Sequence, residues 1–185
     1  MEEKISLAFR NRGISPKKFQ VASIRCLLKG EDIFVSVPTG SGKTYVYAFL
    51  PEIAASLHMP HRVIVITPLI SLMQDQVRRM NQLGISAAFV GEAQKDGAVK
   101  QGVLSGDYDI VFMSPESATN SKWRDLFLSN LYQRELMTIV VDECHCISQW
   151  LVAIYSPIFL HNPFRNKLSN KNSEFMICLL LLLRQ

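Results

Sequence analysis

Short apolar runs recur along the chain at Ile33 to Val37, Val63 to Ile66, Ala87 to Val90, Ile110 to Met113 and Ile139 to Val141. Most are rich in β-branched residues and lack polar alternation, so the pattern predicts strands buried on both faces. The stretches from Gln20 to Lys29, Lys43 to Leu57, Leu69 to Leu83 and Trp123 to Leu131 have helical length, with Gly30 and Gly84 where helices stop. Strands joined by helical crossovers pair in parallel, with right-handed connections. The expected architecture is therefore an α/β domain of three layers around a mostly parallel sheet.

After Trp150 the texture changes. Leu151 to Leu160 is apolar without a period, Asn162 to Glu174 is polar and rich in Asn, and Phe175 to Leu183 is almost unbrokenly apolar. The last run falls well short of the roughly 20 apolar residues that cross a bilayer, so no membrane partner is expected. A buried strand or a sticky end is the expectation there. The chain divides accordingly into residues 1–150, one α/β unit, and a tail over 151–185.

Composition narrows this picture only slightly. With 185 residues, 48% hydrophobic and 19% charged, the chain has room for one well-buried domain of ordinary soluble character. A net charge of +4 permits a polyanionic partner without requiring one. Met1 to Arg10 is charged and lacks the apolar core of a secretory signal, which points to an intracellular location. Cys26, Cys144, Cys146 and Cys178 are too scattered for a disulfide framework and are expected reduced. Cys144, His145 and Cys146 are near neighbours in sequence that do not converge on one tetrahedral ion, so no zinc is expected.

The chemistry is concentrated in two places. Pro38-Thr39-Gly40-Ser41-Gly42-Lys43-Thr44 lies between a predicted strand and a predicted helix. There Gly40 and Gly42 let backbone N–H groups approach phosphates, Lys43 reaches the β- and γ-phosphates, and Thr44 offers a hydroxyl to magnesium. Val37 stands where the strict phosphate-loop pattern has its first glycine. About a hundred residues on, the run Thr138 to Val141 delivers Asp142 and Glu143 to the strand's C-terminal end, where ligands bind in open α/β sheets. Taken alone, two such carboxylates read as a solvated turn. Coupled to the upstream loop, Asp142 suits a magnesium-binding role and Glu143 a base for an attacking water. His145 beside them suits a hydrogen-bonding link to another surface. Gln20, whose amide both donates and accepts, has the capacity to read the edge of adenine.

These residues carry a family resemblance. Thr67-Pro68-Leu69-Ile70-Ser71-Leu72-Met73-Gln74-Asp75-Gln76-Val77 resembles motif Ia, and Asp142 to Trp150 resembles motif II and the start of the aromatic-rich loop, of RecQ-type DNA helicases of superfamily 2. The resemblance implies the first motor domain of such an enzyme, a RecA-like phosphate-loop domain incomplete at its C-terminal end. It implies ATP and Mg2+ as cofactors and DNA, as a single strand or duplex junction, as partner, with unwinding 3′ to 5′. By the same resemblance Gln20 matches the motif 0 glutamine with Lys17 before it, and Phe112 to Glu116 resembles an element that holds a DNA strand. Gln149 and Trp150 match the loop that reports DNA to the ATPase site, and Thr67, Ser71 and Ser114 would face DNA phosphates.

The sequence departs from the family at three points. Lys17 and Pro16 stand where an Arg and an aromatic residue are usual. The segment Tyr45 to Pro51 is one residue longer than the family's. After Trp150, Leu151-Val152-Ala153-Ile154-Tyr155 replaces the usual Gly-His-Asp-Phe-Arg-Pro. The expected reading is a helicase ATP-binding domain lacking its second motor domain, which a partner would supply in trans. The competing reading is a nucleotide- and DNA-binding or regulatory module without turnover. A nucleotide kinase or transporter ATPase fits the phosphate loop but leaves the other two motifs unexplained.

Overall fold

The computed structural model describes residues 1–142 and 176–179. In chain order the elements are α1 (Glu2–Arg10), α2 (Lys18–Leu28), β1 (Ile33–Phe34), α3 (Thr44–Ala48), α4 (Leu50–Ser56), β2 (Arg62–Ile66), α5 (Ile70–Gln82), β3 (Ala87–Val90), α6 (Gly97–Ser105), β4 (Ile110–Met113), α7 (Pro115–Thr119), α8 (Ser121–Leu128), α9 (Asn130–Glu135), β5 (Leu136–Val141) and β6 (Met176–Leu179). The strands form one sheet in the order β1-β6-β5-β2-β4-β3, and every pairing is parallel.

Successive side chains of a strand point to opposite faces, and β2 shows what that does here. Val63 and Val65 join a core with Phe9, Phe49, Tyr47 and Phe112 on one face. Ile64 and Ile66 join Trp123, Phe127 and Tyr132 on the other. Two separate apolar clusters flanking one sheet are the three-layer arrangement the sequence predicts, and they explain why the central strands read as unbroken apolar runs.

Three sequence expectations need correction. The strand predicted over Ile33 to Val37 pairs only at Ile33–Phe34, because the following backbone belongs to the loop: the Val37 carbonyl accepts from Lys43 Nζ at 2.9 Å. The helix predicted over Lys43 to Leu57 is two helices, α3 and α4, parted at Phe49 with φ −94° and ψ −7°. Pro51 has no N–H to return to the Tyr47 carbonyl, so the ladder breaks there, and buried Phe49 occupies the junction. The helix predicted over Trp123 to Leu131 is likewise two, α8 and α9, with Ser129 capping the second by accepting from Tyr132 N at 3.3 Å.

Helix α1 has no counterpart among the predicted elements. It packs through Ile5, Ala8 and Phe9, a helical stripe. Within the apolar run Phe175 to Leu183, residues Met176–Leu179 form β6, paired with β1 at Ile33↔Cys178 and with β5 at Val140↔Cys178. The expected boundary at Trp150 lies outside the described residues. Among the described residues no helix is long and apolar enough to cross a membrane.

Candidate nucleotide and nucleic-acid site

Helix α2 sets the phosphate loop. Gln20 is its third residue, and its Oε1 accepts from Lys17 N at 2.8 Å, the backward half of a capping box. The same amide donates through Nε2 to the Gly42 carbonyl at 2.8 Å, while Lys17 Nζ donates to the Ser41 carbonyl at 3.0 Å. In a trans peptide the C=O and the following N–H point in opposite directions. Drawing the Ser41 and Gly42 carbonyls towards α2 therefore turns the N–H groups of Gly42 and Lys43 away from it, as an anion cradle requires.

Gly42 is there for two reasons. Its φ is +86°, and a Cβ would lie 2.9 Å from Gln20 Nε2 and 3.2 Å from the Tyr45 ring. The exposed tip is Thr39 and Gly40, and Ser41 is partly covered. Lys43 is only 7% exposed, with its ammonium on the Val37 carbonyl at the mouth of the loop.

Asp142 meets this loop from the sheet. Its N–H donates to the Ile66 carbonyl at 2.9 Å, which fixes it at the C-terminal edge beside the end of β2, and it is 7% exposed. The hydroxyl of Tyr47, on α3, donates to Asp142 Oδ2 at 3.3 Å. Thr44, one turn earlier on the same helix, lies beside the same phenol and acts on it. Burial first, and then the Asp142 charge, push the Tyr47 phenol well above its ordinary pKa, so it stays a donor. A threonine hydroxyl and a carboxylate around one point are hard oxygen donors that fit magnesium, which takes few protein ligands and completes its shell with phosphates and water. Among the described residues no cluster of three or more His, Cys, Asp or Glu forms a metal site of another kind.

The structure thus brings together Lys17, Gln20, Gly42, Lys43, Thr44 and Asp142. Gln20, expected to read adenine, is 2% exposed, and its amide oxygen and one of its amide N–H groups are spent on the chain itself. Its observed work is holding the loop. Glu143, His145, Gln149 and Trp150 lie outside the described residues. Tyr47 escaped the sequence reading; the one available signal was its position three residues after Thr44, on the same helical face.

Further along the same edge, Thr67, Ser71 and Ser114 stand at the ends of β2 and β4 and the first turn of α5. Thr67 N donates to the Met113 carbonyl at 3.0 Å, and its buried Oγ1 has no hydrogen-bond partner among the described residues. Ser71 is exposed. Ser114 caps α7, accepting from Ser117 N at 3.2 Å. A cavity of about 490 Å³ opens beside Ser114, floored by Met73, Phe89 and Trp123, with Lys95 and Lys100 in its wall.

The family model for DEAD/DEAH box helicases matches residues 17–172. The chain is 38% identical over 146 residues, 77% of its length, to the ATP-dependent helicase SGS1 of Saccharomyces cerevisiae, of which this covers 10%. It is 35% identical over 138 residues, 72% of its length, to the ATP-dependent DNA helicase RecQ of Haemophilus influenzae, of which this covers 21%. The chain thus spans between a tenth and about a fifth of these relatives. Among solved structures, the DUF1998 helicase MrfA bound to DNA and AMPPNP superposes with a TM-score of 0.71 at 25% identity, over 97% of this chain and 26% of that one. A hypothetical ATP-dependent RNA helicase from Sulfolobus tokodaii shares the fold with a TM-score of 0.62 at 21% identity, over 97% of this chain and 50% of that one.

Proposed function

The chain belongs to the DEAD/DEAH box helicase family, in its RecQ-type branch, and from that premise we propose that it is the nucleotide-binding lobe of an ATP-dependent DNA helicase translocating 3′ to 5′. The observation that carries this reading is that the Tyr47 phenol links Asp142, at the sheet edge, to Thr44, the residue that follows Lys43 in the phosphate loop. In the proposed cycle the Gly42 and Lys43 N–H groups and the Lys43 ammonium receive the triphosphate, the ammonium leaving the Val37 carbonyl to do so. Thr44 and Asp142 would hold magnesium, which supplies charge neutralisation at the phosphates. Glu143 would orient the attacking water, and His145, Gln149 and Trp150 would carry the nucleotide state to DNA.

Thr67, Ser71 and Ser114 supply the DNA side of the proposal. Their hydroxyls and backbone amides suit phosphates, a sequence-independent contact fit for translocation. Full hydrolysis in this reading needs arginines from a second motor domain, since an arginine finger is worth about 10³ to 10⁵ in rate. Residues 1–185 alone are then a nucleotide and DNA binder with very low turnover.

Titration calorimetry with Mg-ADP on the wild type and Lys43→Ala tests the nucleotide site. Heat in the wild type and its loss in the variant, with unchanged melting, is the expected result. Equal heats would sink the assignment. DNA-stimulated turnover at ordinary enzyme rates by the chain alone, abolished by Glu143→Gln, would instead reject the need for a second lobe.

A further inference from the structure

The Tyr47 phenol is buried on all sides, between the end of β5, the first turn of α3 and the Phe112 ring of β4, whose centroid lies 6.3 Å away at 71°. A buried hydroxyl is costly unless it is bonded. Packing alone would be met by phenylalanine, so the hydroxyl demands its own account. Among the described residues its hydroxyl is bonded to Asp142 at 3.3 Å and lies beside Thr44. These are the two side chains that the nucleotide-site reading assigns to magnesium, and they come from elements nearly a hundred residues apart in sequence.

We propose that Tyr47 is a positioning residue for the divalent cation: its hydroxyl sets the rotamer of Asp142 and the spacing between that carboxylate and the Thr44 hydroxyl before nucleotide arrives. The inference rests on the nucleotide-site reading and deepens it. The physical basis is preorganisation. A donor fixed in the core restrains rotation of a strand-end carboxylate about χ2 before binding rather than during it. Phe112 contributes only packing to the same ring, so hydroxyl and ring have separable roles.

The test measures fluorescent mant-ADP affinity against Mg2+ concentration for the wild type, Tyr47→Phe and Phe112→Leu, with thermal melting of each. Tyr47→Phe is expected to bind mant-ADP in EDTA as the wild type does, within about twofold, while the Mg2+ needed for half-maximal tightening rises about three- to tenfold. That range corresponds to about 0.7 to 1.4 kcal/mol at 1.4 kcal/mol per tenfold, in keeping with the net worth of one ordinary hydrogen bond, as suits a contact of 3.3 Å. Phe112→Leu is expected to melt lower yet keep the wild-type Mg2+ midpoint. An unchanged midpoint in Tyr47→Phe overturns the proposal while leaving the nucleotide site standing. A raised midpoint in both variants also overturns it, since packing would then account for the effect. If wild-type affinity shows no Mg2+ dependence at all, the magnesium assignment itself falls, and the proposal with it.

Discussion

Gln20 and Gly42 are locked in a mutual dependence. The amide nitrogen that holds the Gly42 carbonyl at 2.8 Å stands 2.9 Å from where a Cβ on Gly42 would be. Neither position is free to vary while the other stays. Gly42→Ala is expected to lose nucleotide affinity by at least tenfold and to destabilise the fold by about 1–2 kcal/mol, from strain at φ +86° and the displaced amide. Adding Gln20→Ala removes the collision but neither the strained φ nor the missing donor. The double variant should therefore not recover binding in calorimetry; recovery would show that the collision was the whole cost.

Removing Gln20 alone leaves the Lys17 bond to the Ser41 carbonyl in place. Gln20→Ala is expected to weaken both ADP and inorganic pyrophosphate, because the loop's N–H groups lose their orientation. An effect on ADP with none on pyrophosphate would instead assign Gln20 to the adenine.

Arg79 and Tyr45 tie helix α5 to the phosphate-loop helix. The guanidinium donates to the Tyr45 hydroxyl at 2.8 Å and lies 5.2 Å from its ring centroid, and that ring stacks on Phe49 at 5.3 Å. A double-mutant cycle with Arg79→Ala and Tyr45→Leu in urea denaturation should give a coupling of about 0.5–1 kcal/mol. A value near zero would mean that the pair is an exposed contact of no consequence.

Gly106 ends α6 at φ +77°, where an added Cβ would lie 2.5 Å from Leu131 Cδ2. Gly106→Ala combines left-handed strain with a collision against a packed side chain, so about 2 kcal/mol or more of destabilisation is expected. Melting curves check this, and nucleotide affinity should not change in the protein that remains folded.

Alkaline pH should act through Tyr132. Its hydroxyl donates to the Val103 carbonyl at 2.9 Å, and burial pushes its pKa up to about 12 from an ordinary 10. The folded state keeps the proton longer than the unfolded chain. Stability from this group is therefore whole below pH 10 and is lost as pH rises from 10 towards 12, by about 2–3 kcal/mol in total. Tyr132→Phe should be less stable than the wild type at pH 8, yet lose less of its own stability between pH 10 and 12. Parallel losses in the two proteins would refute the assignment.

How far the sequence could be read follows from what each residue's signal depends on. Strands β3 and β4 match the predicted ranges because their apolar runs end where the chain turns polar. The phosphate loop and Asp142 were legible because their chemistry needs particular residues in fixed order. The break at Phe49 was encoded in Pro51, but a long apolar pattern around a proline reads as one helix until the lost N–H is traced to the Tyr47 carbonyl. Tyr47 itself was hidden, since a tyrosine among Val46, Ala48 and Phe49 looks like core. Only the crossover that returns β5 to the loop reveals its hydroxyl partners. Gln20 shows the converse case: the residue stands out in the sequence for the capacity of its amide, but that amide faces the loop it supports.

The placement of β6 has a consequence for synthesis on the ribosome. Among the described residues it is the sheet neighbour of β1 and the last strand in chain order. β1 ends at Phe34 and β6 begins at Met176, so at translation rates of about 5–20 residues per second the wait between them is on the order of ten seconds. Throughout that interval the phosphate-loop strand has no sheet neighbour among the described residues, and once β5 has been made the edge it offers to β6 stays open. An unpaired strand edge is a template for wrong partners, and here it borders the proposed nucleotide site.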